Sequence, residues 1–201
     1  MKKRLGIFGG TFSPPHIGHL EAAKAFVSEL SLDSLLIIPT FIPPHKEMHE
    51  IDPSHRLNMT HLAFSSLEKV TVSPYELDKK GISYTFGTLE HFYSPDTEIF
   101  FLCGTDMFLT LDEWKNPSRI FELATIALAL REDADKELLN KIYEAKKHFE
   151  KDFSARIILL ENTPIEVSSS ELRALINGGK DASKYLLPEV YTYIKENGLY
   201  K

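Results

Sequence analysis

Apolar residues along this chain fall into two alternating patterns. Short, nearly continuous runs occur at 5–8, 35–38, 70–72, 99–103, 125–130 and 156–160, the form taken by strands buried on both faces. Between them lie amphipathic stretches with helical spacing, at 20–30, from 53 onward with Leu57, Leu62 and Ala63, at 85–93, 117–123 and 135–149, after Ser170 up to Gly178 and Gly179, and at 188–197 before Gly198. Asp52-Pro53 and Asn116-Pro117 each place a cap before a proline at the first helical position. Over 135–149 the apolar side is expected to carry Leu138, Leu139, Ile142, Tyr143 and Phe149, with a solvated Lys/Glu face opposite. Residues 75–77 follow the third strand without a clear element, and 81–84 read as a turn. Strands alternating with helices predict one α/β domain over 1–201, a Rossmann-like doubly wound parallel sheet with helices on both faces.

Composition narrows the partners. A net charge of −6 disfavours a general nucleic-acid or anionic-membrane surface, but not a small anionic ligand held by a local cluster of basic groups. The one cysteine, Cys103, sits among Phe100, Phe101 and Leu102 and reads as a buried structural thiol. The apolar stretch behind the basic start ends at Gly9, too short for a signal-peptide core. No run approaches the ~20 residues of a membrane span, so a cytoplasmic protein is expected; a homo-oligomer stays open.

The chemistry gathers first between strand and helix, at Gly9-Gly10-Thr11-Phe12-Ser13-Pro14-Pro15-His16-Ile17-Gly18-His19. Loops at strand carboxyl ends converge on the ligand in an open α/β sheet, and a helix N-terminus offers unsatisfied N–H groups to phosphate. His16 and His19, three residues apart at the helix start, can face one side and stabilise charge on a phosphoryl group. Neither the G-x-G-x-x-G fingerprint nor a P-loop is present, which disfavours hydride transfer and Walker-type ATP hydrolysis. Far down the chain, Ser168, Ser169 and Ser170 head a helix, with Arg173 on the same face to grip phosphate oxygens. An ordinary serine cap beside a solvated arginine is the alternative. Lys46, with His45, stands in a polar loop after the second strand, Asp106 just past a strand end, and Trp114 soon after.

Gly9-Gly10-Thr11-Phe12 followed by His16-Ile17-Gly18-His19 resembles the signature of the nucleotidyltransferase superfamily with the His-x-Gly-His motif. Within it, the chain is similar along nearly its full length to the bacterial nicotinate-nucleotide adenylyltransferase family. The matching stretches are the first loop, Pro43-Pro44-His45-Lys46, Gly81-Ile82-Ser83-Tyr84-Thr85, Gly104-Thr105-Asp106 with Trp114, Val167-Ser168-Ser169-Ser170 with Arg173, and the tail from Leu187-Pro188-Glu189-Val190 to Leu199-Tyr200. The resemblance implies a nucleotidyltransferase-type sheet and transfer of AMP from ATP to nicotinate mononucleotide, with release of pyrophosphate and no protein nucleophile. It implies catalytic roles for His16, His19 and Arg173. Gly9, Gly10, Thr11, Phe12, Asp106, Ser168, Ser169 and Ser170 would hold ATP, and His45, Lys46, Thr85 and Trp114 the mononucleotide. Mg²⁺ would accompany ATP, with no protein side chains predicted as its ligands.

Two positions depart from the family pattern. Gly87 stands before Thr88 where the family usually shows an aspartate, and Lys115 follows Trp114 where an aromatic residue is common. The first departure removes a carboxylate expected near the pyridine ring, and the second adds a cation. Nicotinamide mononucleotide or pantetheine phosphate as acceptor, a cytidylyltransferase, and a non-catalytic nucleotide-binding module are the rival readings.

Overall fold

A computed structural model describes residues 2–44, 51–130, 135–161 and 167–201. Six strands form one sheet: β1 (Lys3–Gly10), β2 (Ser34–Pro39), β3 (Val70–Val72), β4 (Thr97–Gly104), β5 (Ala124–Ala129) and β6 (Ile157–Leu160). Every pairing is parallel and the order is β3-β2-β1-β4-β5-β6. The chain first builds outward from β1 through β2 and β3, then returns to place β4 on the other side of β1. The crevice therefore opens at the carboxyl ends of β1 and β4, where this topology reverses.

Alternation along each strand feeds two cores. Leu35, Ile37, Phe100 and Leu102 point to one face, under helices α1 (Ile17–Glu29), α2 (Pro53–Phe64), α8 (Ser169–Asn177) and α9 (Pro188–Glu196). Ile7, Ile38, Phe101 and Cys103 point to the other, which α4 (Thr85–Phe92), α5 (Thr105–Phe108), α6 (Pro117–Leu123) and α7 (Lys136–Phe153) cover. Helices on both faces make the sheet doubly wound, as the strand–helix alternation predicts. Burial holds the Cys103 thiol protonated, matching its expected structural role.

Several details differ from the sequence expectation. Helix α1 begins at Ile17 rather than Leu20, because His16 already takes the extended cap conformation. An unanticipated five-residue helix, α3 (Tyr75–Lys79), follows β3. On α2 the inward stripe is Arg56, Met59, Thr60, Ala63 and Phe64, so a charged residue holds a core position while Leu57 and Leu62 sit at its margin. On α7, Ile142 and Phe149 are buried but Tyr143 faces solvent. Among the described residues no helix is long and apolar enough to cross a membrane.

Candidate active site

Residues 11–16 turn from β1 into α1 around one deeply placed side chain. Phe12 adopts a left-handed backbone (φ 49°) that a bulky residue reaches only at a cost. Its buried ring packs edge-on to Phe8, Phe64 and His19 at centroid distances of 5.4, 5.9 and 5.1 Å. Gly10 is required by this folding back, since a Cβ there would lie 2.9 Å from Phe12 Cζ. Phe12 thus offers a phosphate only its main chain, and its ring fixes the loop and His19.

His19 stands in the first turn of α1, and its Nδ1 accepts the His16 main-chain N–H at 3.2 Å. In the neutral ring that bond leaves the proton on Nε2. The His16 and His19 rings lie 3.6 Å apart between centroids, tilted by 36°. Burial lowers the His16 pKa to about 4, with the Glu171 carboxylate pulling the other way. His16 is thus neutral in the folded protein at neutral pH. Because the unfolded chain takes up this proton near 6.5, the stability that His16 contributes is complete above that value and falls away as the pH drops toward 4.

Three elements brace the loop from behind. The Arg56 guanidinium, buried on α2, donates to Thr11 O at 2.9 Å and to Phe41 O at 3.3 Å, joining the loops after β1 and β2. Ser169 Oγ donates to Pro14 O at 2.9 Å, and Arg173 Nη1 to Ser13 O at 2.8 Å. Near the chain's end, Tyr200 hydroxyl and Ser13 Oγ share a hydrogen bond of 3.1 Å; burial pushes the phenol up to about 12, so it stays protonated. With the Thr11, Ser13 and Pro14 carbonyls tied from behind, this loop has the arrangement that anion binding needs, since an exposed carbonyl oxygen would repel phosphate.

The serine motif caps its helix, and its arginine is held by neighbours. Ser168 caps α8, accepting from Glu171 N–H at 3.1 Å, and its own N–H donates to Glu171 Oε2 at 2.8 Å. Arg173 is not a loose surface cation: Nη2 donates to Ser170 Oγ at 3.0 Å while Nη1 holds the first loop.

A single cleft of about 960 Å³ joins these parts. Gly9 to Ser13, His16, His19, Ser168 to Ser170 and Arg173 line it, as do Thr85, Asp106, Trp114 and Lys115. Thr85 opens α4, Asp106 lies in the first turn of α5, and Trp114 sets its indole edge-on to Phe101 at 6.4 Å. His45 and Lys46 lie outside the described residues.

Gly87 does not face this cleft. A Cβ there would point toward Lys79 Nζ, 3.5 Å away on α3, so the aspartate common in the resembled family would pair with Lys79 rather than stand in the ring pocket. Glu76, on α3, is a carboxyl group of the cleft wall, as Asp106 and Glu171 are, and the sequence reading missed it. Gly87→Asp should therefore leave substrate preference unchanged and stabilise the protein. An acidic group in the first turn of α4 and the loss of a helical glycine together supply roughly 0.5–1 kcal/mol, a rise in Tm of about 1–3 °C. Thermal melts and the ratio of rates with two acceptors check both halves.

Residues 7–175 match the cytidylyltransferase-like family. A probable nicotinate-nucleotide adenylyltransferase of Clostridium tetani is 38% identical over 204 residues, covering 100% of both chains. One from Pseudomonas aeruginosa is 34% identical over 212 residues, covering 100% of this chain and 99% of its own. Among solved structures, Plasmodium falciparum nicotinic acid mononucleotide adenylyltransferase complexed with APC superposes with a TM-score of 0.73 at 18% identity, over 98% of this chain and 97% of its own, a likeness of fold. Fold, cleft and end-to-end similarity agree, and the chain belongs to the cytidylyltransferase-like family, among the nicotinate-nucleotide adenylyltransferases.

Proposed function

We propose that this protein transfers AMP from ATP to nicotinate mononucleotide, forming nicotinate adenine dinucleotide and pyrophosphate. The observation that carries the reading is the one cleft, in which the first loop, the head of α8 and the Thr85–Trp114 pair face a common space. An oxygen of the mononucleotide 5′-phosphate attacks the α-phosphorus of ATP. A bond forms between them as the bond from that phosphorus to the bridging oxygen breaks, and the electron pair leaves with pyrophosphate. No protein nucleophile is needed, so positioning and charge stabilisation supply the acceleration.

In this reading His19 Nε2–H, the N-termini of α1 and α8, and Arg173 act on the transferring phosphate. Asp106 suits ribose hydroxyls, Trp114 the face of the pyridine ring, and Thr85 its carboxylate; Lys46 and His45 belong to the mononucleotide side by resemblance alone. Mg²⁺ bound to the polyphosphate supplies neutralisation of its charge. Such a cation usually keeps several waters and leans on the substrate phosphates, so it would call for few protein ligands.

Incubation with ATP, Mg²⁺ and either nicotinate or nicotinamide mononucleotide, followed by pyrophosphate release, tests the reading. Faster turnover of the nicotinate form is expected; no pyrophosphate from either acceptor would refute the activity. Trp114→Ala should raise KM for the mononucleotide on the order of tenfold, through lost stacking and buried area, and hardly change KM for ATP. A change confined to ATP would remove Trp114 from the ring pocket.

A further inference from the structure

Ser83 takes no part in the chemistry above, but it closes the acceptor side of the cleft. Residue 41, just beyond β2, is gripped from two sides. Arg56 Nη2 donates to Phe41 O at 3.3 Å, and Phe41 N–H donates to Ser83 Oγ at 3.0 Å. Next to it, Ser83 N–H donates to Ile42 O at 2.9 Å, and Ile42 pairs with Ile82 in an isolated parallel bridge. Residues 41–42 and 82–83 thus form a clasp outside the six-stranded sheet. Thr40, Pro43 and Pro44 on one arm, and Ser83, Tyr84 and Thr85 on the other, line the cleft.

Resting on the function proposed above, we propose that Ser83 is a positioning residue for the mononucleotide. Its hydroxyl, through Phe41 N–H, fixes the loop after β2 against the head of α4, so that both walls of the acceptor half-site stand at one spacing before the ligand arrives.

The bond from Ser83 N–H joins main chain to main chain and would form with any residue but proline at 83. The bond to Oγ needs a hydroxyl at the reach of serine or threonine. Apolar burial does little to hold this arm, since Ile82 is 46% exposed, so the hydrogen bonds carry correspondingly more of it. The arm also arrives through a turn that is costly to make. Lys80 takes φ 60° and ψ 173°, a conformation almost confined to glycine, and Gly81 follows at φ 76°. Such a turn persists where the segments on either side are held, here by α3 and by the clasp. Ser83 Oγ is engaged by Phe41 N–H and has the Glu76 carboxyl as a second polar neighbour, so it acts on the ligand through the loop rather than by touching it. Walls fixed in advance spare the mononucleotide the cost of ordering them.

Calorimetric titration of the intact protein with nicotinate mononucleotide, and separately with a non-hydrolysable ATP analogue, tests this without turnover. Ser83→Ala should weaken mononucleotide binding on the order of tenfold and leave the ATP analogue within about threefold of wild type. Ser83→Cys, a poorer acceptor of similar shape, serves should the alanine variant not fold. Ser83→Thr keeps the hydroxyl and should bind the mononucleotide within about threefold of wild type. Combined with Thr85→Ala, Ser83→Ala should add less than about threefold to the loss from Thr85→Ala alone, because a Thr85 contact already removed has nothing left to be positioned. Full mononucleotide affinity in Ser83→Ala, whatever its melting temperature, would overturn the proposal and leave the clasp a support of the fold. Equal losses for both substrates, or losses that multiply in the double variant, would overturn it too. Wild-type binding of both substrates without pyrophosphate release would refute the activity and leave the clasp to be decided by the affinities; wild-type protein that binds no mononucleotide refutes both.

Discussion

His19→Ala should lower kcat by a factor on the order of 10² or more while changing KM for either substrate far less. The imidazole is held before any substrate arrives. Its Nδ1 takes the His16 N–H, Phe12 packs edge-on at 5.1 Å, Phe8 lies 6.0 Å away and the His16 ring 3.6 Å away. The proton-bearing Nε2 is therefore fixed relative to the loop at residues 11–16. A donor already oriented costs no reorganisation as charge builds on the transferring phosphate, which is why its loss should fall on kcat. His19→Gln, whose amide reaches about as far as Nε2, should recover part of the rate because it restores a donor but not the contacts that orient it. Steady-state kinetics in both substrates check this, and an alanine variant within about threefold of wild type would dissociate His19 from the chemical step. His16 follows different logic: neutral until the pH nears 4, it is not the source of an acid limb in the activity profile above that value.

The sheet, and the placing of the two candidate motifs on one cleft, were legible because their physics is local. Continuous apolar runs such as 99–103 have no other stable place than a strand covered on both faces, and glycines, hydroxyls and histidines in a strand–helix loop mark a candidate site by themselves. The bracing behind that loop was not legible, since its partners are separated by 45 residues for Arg56 and Thr11, 160 for Arg173 and Ser13, and 187 for Tyr200 and Ser13. One signal was available. Arg56 falls on the same helical stripe as Met59, Thr60, Ala63 and Phe64, and a charged residue in register with buried neighbours must find partners inside. Glu76 left no such trace: its five-residue helix is too short to show a period, and only the tertiary structure brings it to Thr88. The departure at Gly87 misled for the same reason, because the sequence places it beside Thr88 but the helix turns it toward Lys79.

Arg56→Met should be the most damaging substitution outside the residues that meet substrate. Arg56 is 3% exposed, and its guanidinium holds Thr11 O at 2.9 Å and Phe41 O at 3.3 Å. Methionine fills much of the stem's volume but leaves two carbonyl oxygens unpaired, each costing about 1–3 kcal/mol where it stays buried. It also removes a positive charge from directly behind the loop after β1, where the surrounding protein screens it less than water would. Part of the loss should appear as stability, a Tm lower by about 10 °C if some 3 kcal/mol is lost. The rest should appear as weaker ATP use, with kcat/KM for ATP down on the order of 10² as the Thr11 carbonyl turns toward the cleft. Arg56→Lys separates the two contributions. An ammonium group retains the charge but cannot reproduce the planar fork that reaches both carbonyls. It should therefore restore much of the ATP dependence while leaving the link to Phe41, and with it part of the stability, unrepaired. Thermal melts combined with kinetics varied separately in ATP and mononucleotide decide the matter. If Arg56→Met lowers Tm but leaves kcat/KM for ATP unchanged in the fraction that remains folded, Arg56 supports the fold alone and does not position the loop.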